Sequence, residues 1–226
     1  MQRNSSSTSR ALLVAVLVAL AGAAGCASNA PPSETPAAPP AAAKDSQADE
    51  RILGSADAQV MIIEFTDLQC PYCARFARDT WPLLRERYVD TGRIRFATRD
   101  LPLPFHEFAV PAAVAARCAG QQGKFWEYRE ALFRDQSLLG QARYAALAST
   151  FGLDTARFET CRADRAVLDA VRADSALAAS SGIASTPSFV IGRVVNGQFE
   201  GAVMAGAQPF QAFQQRLDSL LQQSQQ

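Results

Sequence analysis

The amino-acid sequence predicts an α/β fold in which a β-α-β unit and a β-β-α unit flank a long helical insertion. Residues 58–68 (AQVMIIEFTDL) form a run of β-branched and apolar residues that is typical of a buried strand, and residues 93–100 alternate as a second strand does. Residues 70–90 lie between them and carry apolar side chains at helical spacing. A helix that joins two strands in this way makes them parallel neighbours in one sheet.

The helix at 70–90 contains a break. Apolar residues recur at helical spacing from Phe76 to Tyr88, but Pro82 lies inside this segment. Because proline lacks an amide hydrogen and its ring collides with the preceding turn, we expect a kink near Thr80.

The second half of the chain supplies the remaining elements. Residues 105–181 show helical periodicity interrupted by glycines and predict four or five amphipathic helices. Residues 186–192 predict a strand, and residues 193–201 carry Asn-Gly between two short extended runs, which is a hairpin signal. Residues 208–221 predict a final amphipathic helix.

Residues 1–25 have the composition of an export signal rather than of a folded element. Arg3 and Arg10 flank a polar start, and residues 11–20 are an apolar run too short to span a bilayer as a stable helix. One interpretation is an ordinary signal peptide that is cleaved after small residues. The other, which we favour, resembles a bacterial lipoprotein signal, in which Cys26 is acylated and becomes the first residue of the mature protein.

Composition sets the domain limits and excludes one class of partner. Residues 26–49 are rich in Ala, Pro and Ser and predict an extended linker, or a disordered mature N-terminus, ahead of a folded domain at 50–222. The chain has 22 basic and 22 acidic side chains and no basic stripe with interleaved aromatic residues. We therefore expect no nucleic-acid partner.

The cysteine pattern argues against a metal site. The five cysteines are Cys26, Cys70, Cys73, Cys118 and Cys161. Loss or acylation of Cys26 would leave an even number in an oxidising compartment, where disulfides persist. A structural zinc site needs two closely spaced ligand pairs, whereas only Cys70 and Cys73 are close and His106 is the single histidine. The sequence therefore predicts no metal ligands.

The Cys70-Pro71-Tyr72-Cys73 motif at the strand-to-helix junction predicts a redox dithiol rather than a structural disulfide. Free amide groups and the positive end of the helix dipole stabilise a thiolate at Cys70 and lower its pKa. Pro71 suits the first helical position because the missing amide needs no partner there. Cys73 is nearly one turn further on, so it faces the same side and can resolve a mixed disulfide. We expect Cys70 to be an exposed, low-pKa nucleophile.

Three segments resemble the DsbA-type thioredoxin-like proteins, including the BdbD-like bacterial subset. They are IIEFTDLQCPYC (62–73), QGKFWEYREALF (122–133) and GIASTPSFVIG (182–192), and the resemblance covers about residues 50–222. The specific part is a CxxC motif at a strand-to-helix junction, followed about 115 residues later by Thr-Pro. The resemblance implies a thioredoxin-like fold with an inserted helical domain at about 105–181.

The resemblance also implies roles around the CxxC motif. Glu64, in an otherwise apolar strand, would take the proton of Cys73, and the alternative is an exposed strand residue without a role. Pro187 would be a cis-proline facing the two cysteines, and the alternative is a proline that merely begins a strand. The residues expected to contact substrate are Pro71, Tyr72, Thr186 and Pro187.

Other polar and aromatic residues of the insertion have structural interpretations. Cys118 and Cys161, on two predicted helices, would form a structural disulfide, and the alternative is a second redox pair. We expect His106 to cap or pack the first inserted helix, and Phe125 and Trp126 to anchor the helical core.

These inferences predict an extracytoplasmic thiol–disulfide oxidoreductase that forms disulfides in exported proteins. We expect a periplasmic, lipid-anchored monomer that uses no metal or organic cofactor and is recycled by a separate redox partner. One alternative is a disulfide isomerase or reductase resembling DsbG, because Pro71-Tyr72 and Thr186 resemble that branch. Another is a non-catalytic thioredoxin-fold binding or metallochaperone module.

Overall fold

A five-stranded mixed sheet lies at the centre of the part of the chain that the structure, a computed structural model, describes, residues 49–224. In chain order the strands are β1 (Ile52–Gly54), β2 (Val60–Thr66), β3 (Ile94–Asp100), β4 (Ser188–Val195) and β5 (Gln198–Ala205). The spatial order is β1-β3-β2-β4-β5, with β2 and β3 parallel and the other neighbours antiparallel. The parallel pair is the one that the β-α-β pattern predicts, whereas the short β1 was not predicted.

Eight α-helices surround the sheet within residues 49–224. They are α1 (Pro71–Asp79), α2 (Trp81–Leu84), α3 (Ala109–Gly120), α4 (Phe125–Arg134), α5 (Gln141–Thr150), α6 (Thr155–Ala163), α7 (Arg165–Ser180) and α8 (Phe210–Gln223). Helices α3 to α7 all fall between β3 and β4, so the predicted helical insertion is present. The predicted signal peptide and nearly all of the predicted linker, residues 1–48, lie outside the described residues.

The predicted helix break is confirmed. Helix α1 ends at Asp79, and Thr80 stands between α1 and α2 with φ −114° and ψ −42°. Pro82 is in the first turn of α2, where its missing amide costs no helical hydrogen bond. A π-helical turn, Arg85–Val89, continues α2. The hydroxyl of Thr80 donates to the carbonyl of Gln208 at 3.1 Å, which ties the break to the segment before α8.

Aromatic packing joins the insertion to the sheet. Trp126 of α4 stacks on Trp81 of α2 with ring centroids 5.4 Å apart, and Trp81 in turn lies 4.4 Å from Phe96 of β3. Phe125 and Trp126 are both buried, as expected for core anchors. The insertion therefore shares one hydrophobic core with the sheet.

A disulfide bond and a hairpin turn define two further connections. Cys118 on α3 and Cys161 on α6 are bonded across a separation of 43 residues, and a loop of that length contributes about 4 kcal/mol on the chain-entropy model. Asn196 and Gly197 both have positive φ, 52° and 78°, which is the type I′ geometry that suits a two-residue hairpin.

A network of ion pairs, which sequence reasoning missed, holds β1, β3, α3 and α7 together. Asp174 of α7 accepts hydrogen bonds from Arg51 at 2.8 Å and from Arg117 at 2.5 Å. Arg117 also donates to Asp100 at the end of β3, at 2.5 Å. Because these side chains are largely buried, each charge depends on its partners.

Candidate redox site

Cys70 occupies the position immediately before α1, at the end of the loop that follows β2. Its backbone is extended, with φ −70° and ψ 124°, and Pro71 is the first residue of the helix. The Sγ atom of Cys70 lies 3.5 Å from the carbonyl oxygen of Thr186, and the Thr186–Pro187 peptide bond is cis. The structure thus brings together three of the predicted site residues from distant parts of the chain.

Cys70 is less exposed than the sequence led us to expect. Only 3 % of its surface is accessible, because the Thr186 segment lies against its sulfur and the amide of Gln136 is bound to its carbonyl oxygen at 3.0 Å. The expectation of an exposed nucleophile was therefore wrong in degree, whereas Cys73 is fully buried as a resolving residue should be.

The two thiols, both free in the structure, have pKa values shifted in opposite directions. A hydrogen bond from Cys73, with smaller contributions from Thr186 and the backbone amides of Cys73 and Tyr72, lowers the pKa of Cys70 to about 5, although burial opposes this shift. Burial raises the pKa of Cys73 well above its ordinary value, and the neighbouring Cys70 adds to the rise. At neutral pH the pair therefore holds one proton, on Cys73, and a thiolate on Cys70.

Glu64 is fully buried on β2 and forms an ion pair with an arginine of the insertion. Its Oε2 atom accepts a hydrogen bond from Nη2 of Arg129 on α4 at 2.6 Å, and Arg129 is also fully buried. The alternative of an exposed strand residue is therefore excluded. Burial raises the pKa of Glu64, and Arg129 together with the hydroxyls of Thr66 and Thr98 opposes that rise. Sequence reasoning missed Arg129, since nothing local connects α4 to β2.

The loop that carries Cys70 is anchored by Asp67. The carboxylate of Asp67 accepts hydrogen bonds from the amide of Gln69 at 2.7 Å and the amide of Leu103 at 2.8 Å, and its Oδ2 lies 2.7 Å from Nδ1 of His106. The amide of Asp67 itself points at the sulfur of Cys73, at 3.5 Å. The imidazole of His106 therefore binds the loop before the CxxC motif. We had expected His106 to cap or pack α3, but no side chain among residues 49–224 caps the start of that helix.

Two glutamines also hold the loop before Cys70 against the insertion. The side-chain oxygen of Gln69 accepts from the amide of Phe108 at 2.6 Å. The side-chain amide of Gln136 donates to the carbonyls of Leu68 at 2.9 Å and Cys70 at 3.0 Å. The insertion therefore holds the cysteine loop in place through α3 and through the turn after α4, which fixes the position of Cys70 relative to Thr186.

Large apolar side chains are exposed on the CxxC motif and on two segments of the insertion that bind the loop before it. Tyr72 in the motif is 57 % exposed, Phe105 beside His106 is 75 % exposed, and Leu138 two residues after Gln136 is 52 % exposed.

Within residues 49–224, no group of side chains has the composition and spacing needed to hold a metal ion. In the same range, no helix combines the length and the hydrophobicity required to cross a membrane.

Comparison with known protein families defines the class. A family model described as thioredoxin matches residues 46–218, so the chain belongs to the thioredoxin family. The solved structure of alpha-DsbA1 from Wolbachia pipientis superposes with a TM-score of 0.69 at 24 % identity, covering 76 % of this chain and 91 % of that one. DsbA2 from Pseudomonas aeruginosa has a TM-score of 0.59 at 28 % identity and covers 76 % of this chain and 94 % of that one. The predicted fold and the DsbA-type recognition are thereby confirmed.

Curated relatives match over part of their own length. The Na(+)/H(+) antiporter NhaA 3 of Salinispora tropica is 33 % identical over 160 residues, which cover 70 % of this chain and 24 % of the antiporter. A candidate protein-disulfide oxidoreductase of Rickettsia bellii is 22 % identical over 152 residues, covering 65 % of this chain and 58 % of that protein. The chain thus spans about a quarter of the antiporter and little more than half of the second protein.

Proposed function

We propose that the protein is a DsbA-type thiol–disulfide oxidoreductase that forms disulfides in exported proteins. The observation that carries this proposal is the lowered pKa of Cys70, about 5, at a helix N-terminus beside a cysteine whose pKa is raised. A stabilised thiolate is a good leaving group, so the Cys70–Cys73 disulfide is readily given up to a substrate.

The reaction proceeds in two exchanges. A substrate thiolate attacks Sγ of Cys70 in the oxidised protein, the Cys70–Cys73 bond breaks, and Cys73 leaves with the electron pair. A second substrate thiolate then attacks the substrate sulfur of this mixed disulfide, and Cys70 leaves as the stabilised thiolate. Two electrons pass from the substrate to the dithiol, so a separate redox partner must reoxidise the protein after each cycle.

Substrate recognition rests on backbone and apolar contacts. The carbonyl of Thr186, 3.5 Å from the Cys70 sulfur, is placed to meet an extended substrate segment, with Pro187 beside it. Pro71 and the exposed Tyr72 lie directly after the nucleophile. Contacts of this kind do not depend on a particular substrate sequence, which suits an enzyme that acts on many exported proteins.

We propose further that residues 1–25 are a lipoprotein-type signal and that acylated Cys26 anchors a periplasmic monomer to a bacterial membrane. The Ala- and Pro-rich residues 26–49 would hold the domain at 50–222 away from the bilayer. In a bacterial host the wild-type protein should partition into detergent and a Cys26→Ala variant should not. Aqueous partitioning of both forms would contradict the anchor.

The structural role assigned to Cys118 and Cys161 also remains a proposal. Their bond joins two helices inside the insertion and both residues are buried, whereas the Cys70 site depends on a helix N-terminus for reactivity. These surroundings support a stabilising bond over a second redox pair.

The direction of exchange separates the proposal from its alternative, an isomerase or reductase. With a reduced substrate that forms several disulfides, the oxidised protein should introduce disulfides stoichiometrically. With the scrambled substrate, the reduced protein should restore activity poorly, because its low-pKa Cys70 favours release as a thiolate over repeated attack. A Cys70→Ala variant, inactive in both assays, is the control, and strong rescue of the scrambled form with weak oxidation would establish the alternative.

A further inference from the structure

A buried row of polar side chains leads from Cys73 to Glu64. Glu64 and Thr66 are two residues apart on β2, so both side chains project from the same face of the strand. The next residue, Asp67, has its amide 3.5 Å from the Cys73 sulfur, which places the end of β2 against that cysteine. The hydroxyl of Thr66 is near enough to both groups to lower the pKa of each.

The hydroxyl of Thr66 is not committed to a fixed structural partner. Thr66 is buried, and among the described residues its Oγ1 atom makes no hydrogen bond of good geometry, as is also true of Oε1 of Glu64. The buried Thr80, by contrast, donates to a carbonyl at 3.1 Å. A buried hydroxyl without a fixed partner is costly for stability alone, so its presence between two titrating groups indicates a role in their chemistry.

Thr98 provides an internal comparison. It lies opposite Glu64 on the parallel strand β3, its Oγ1 atom likewise makes no hydrogen bond of good geometry within the described part of the chain, and its hydroxyl also lowers the pKa of Glu64. Thr66, which precedes Asp67 at the end of β2, also lowers the pKa of Cys73. Two buried threonines therefore border the same carboxyl group, and one of them also reaches the cysteine.

We propose that the hydroxyl of Thr66 relays the proton between Cys73 and Glu64 during disulfide exchange. This inference rests on the proposed function and adds a proton-transfer residue to it. When a substrate thiolate breaks the Cys70–Cys73 bond, Cys73 leaves as a thiolate, Thr66 gives it the hydroxyl proton, and Thr66 takes the proton of the Glu64 carboxyl group. In the reverse exchange the same proton moves from Cys73 to Glu64.

Arg129 stabilises the ionised form of Glu64, the group at the end of this relay. Complete burial raises the pKa of the Glu64 carboxyl group and so favours its protonated form, because an uncompensated buried carboxylate is expensive. When the proton has left, the guanidinium of Arg129 at 2.6 Å balances the carboxylate. Glu64 can therefore exist in both protonation states without leaving its place on β2.

The test uses reduced protein and a twofold or greater excess of the aromatic disulfide 5,5′-dithiobis(2-nitrobenzoate). Attack by Cys70 releases the first nitrothiobenzoate ion, and attack by Cys73 on the mixed disulfide releases the second. In Thr66→Val the rate of the first phase should remain within about twofold of wild type. The rate of the second phase should fall by about tenfold or more at pH 7, because the loss of acid–base catalysis costs at least about that much. Its rate should then rise about tenfold per pH unit, since hydroxide must remove the Cys73 proton.

Matched variants make the result specific. Thr98→Val removes a hydroxyl from the same buried region and should leave the second phase within about threefold of wild type, whereas Thr66→Ser should restore both its rate and its pH profile. Thr66→Ala should behave as Thr66→Val does. Agreement between the two variants would show that the slowing does not come from imperfect packing of the valine side chain. A wild-type second phase in both Thr66 variants, or equal slowing in Thr98→Val, would overturn the relay. Absence of the first phase in wild type would instead overturn the proposed function.

Discussion

At a pH above the folded-state pKa of Glu64, replacing Arg129 with methionine is expected to lower the free energy of unfolding by about 3–5 kcal/mol, because it leaves the buried carboxylate of Glu64 without a partner. Both side chains of this pair are fully buried, and the hydrogen bond between them is 2.6 Å long. The guanidinium also lies over the rings of Phe133 at 4.8 Å and Trp126 at 5.5 Å, so a long, unbranched methionine retains much of the packing. The loss of stability then reflects mainly the unpaired charge of Glu64.

The pH dependence of this destabilisation has a definite sign. Burial already raises the pKa of Glu64 in the folded protein, and the loss of Arg129 raises it further. A carboxyl group with a raised folded-state pKa becomes unfavourable to folding as the pH rises through that value. The difference between Arg129→Met and wild type should therefore grow from mildly acidic to mildly alkaline pH.

Urea unfolding of the oxidised protein measures the effect, with Glu64→Gln as the matched variant. The double variant Glu64→Gln, Arg129→Met should recover most of the lost stability, since the uncompensated charge is gone. If Arg129→Met cost less than about 1 kcal/mol even at alkaline pH, as exposed ion pairs do, the pair would not be buried as described.

Preferential alkylation of Cys70 is the second large effect that we expect. At pH 6 a thiol with a pKa of about 5 is mostly ionised, whereas an ordinary cysteine with a pKa near 8.5 is roughly 0.3 % ionised. Part of this advantage is lost because a less basic thiolate is a weaker nucleophile. Cys73 has a raised pKa and is fully buried, so it should react at least about a hundredfold more slowly than Cys70.

The elements that could be predicted from the sequence are those with local signals. The CxxC motif between a strand and a helix, the break at Pro82 and the Asn196-Gly197 hairpin each depend on neighbouring residues, and each lies where the pattern places it. The strand β1 escaped prediction because three residues are too few to show a periodicity.

The contacts that complete the site could not be predicted, because they join residues that are distant in the chain. Glu64 and Arg129 are 65 positions apart, and the hydrogen bond between Asp67 and His106 spans 39. The sequence indicated that a buried Glu64 needs a partner, but many arginines were available. Only the packing of α4 against the sheet selects Arg129, and only the path of the loop after β3 brings His106 to Asp67.

The ionisation of Cys70 tests the central claim most directly. Reduced protein is treated briefly with iodoacetamide over a range of pH, quenched, and mapped by peptide mass spectrometry, with Cys73→Ala and Cys70→Ala proteins as references. The account predicts that Cys70 labelling is half-maximal near pH 5 and that Cys73 stays unlabelled until strongly alkaline pH. Faster labelling of Cys73, or a Cys70 midpoint near the ordinary value of about 8.5, would contradict it.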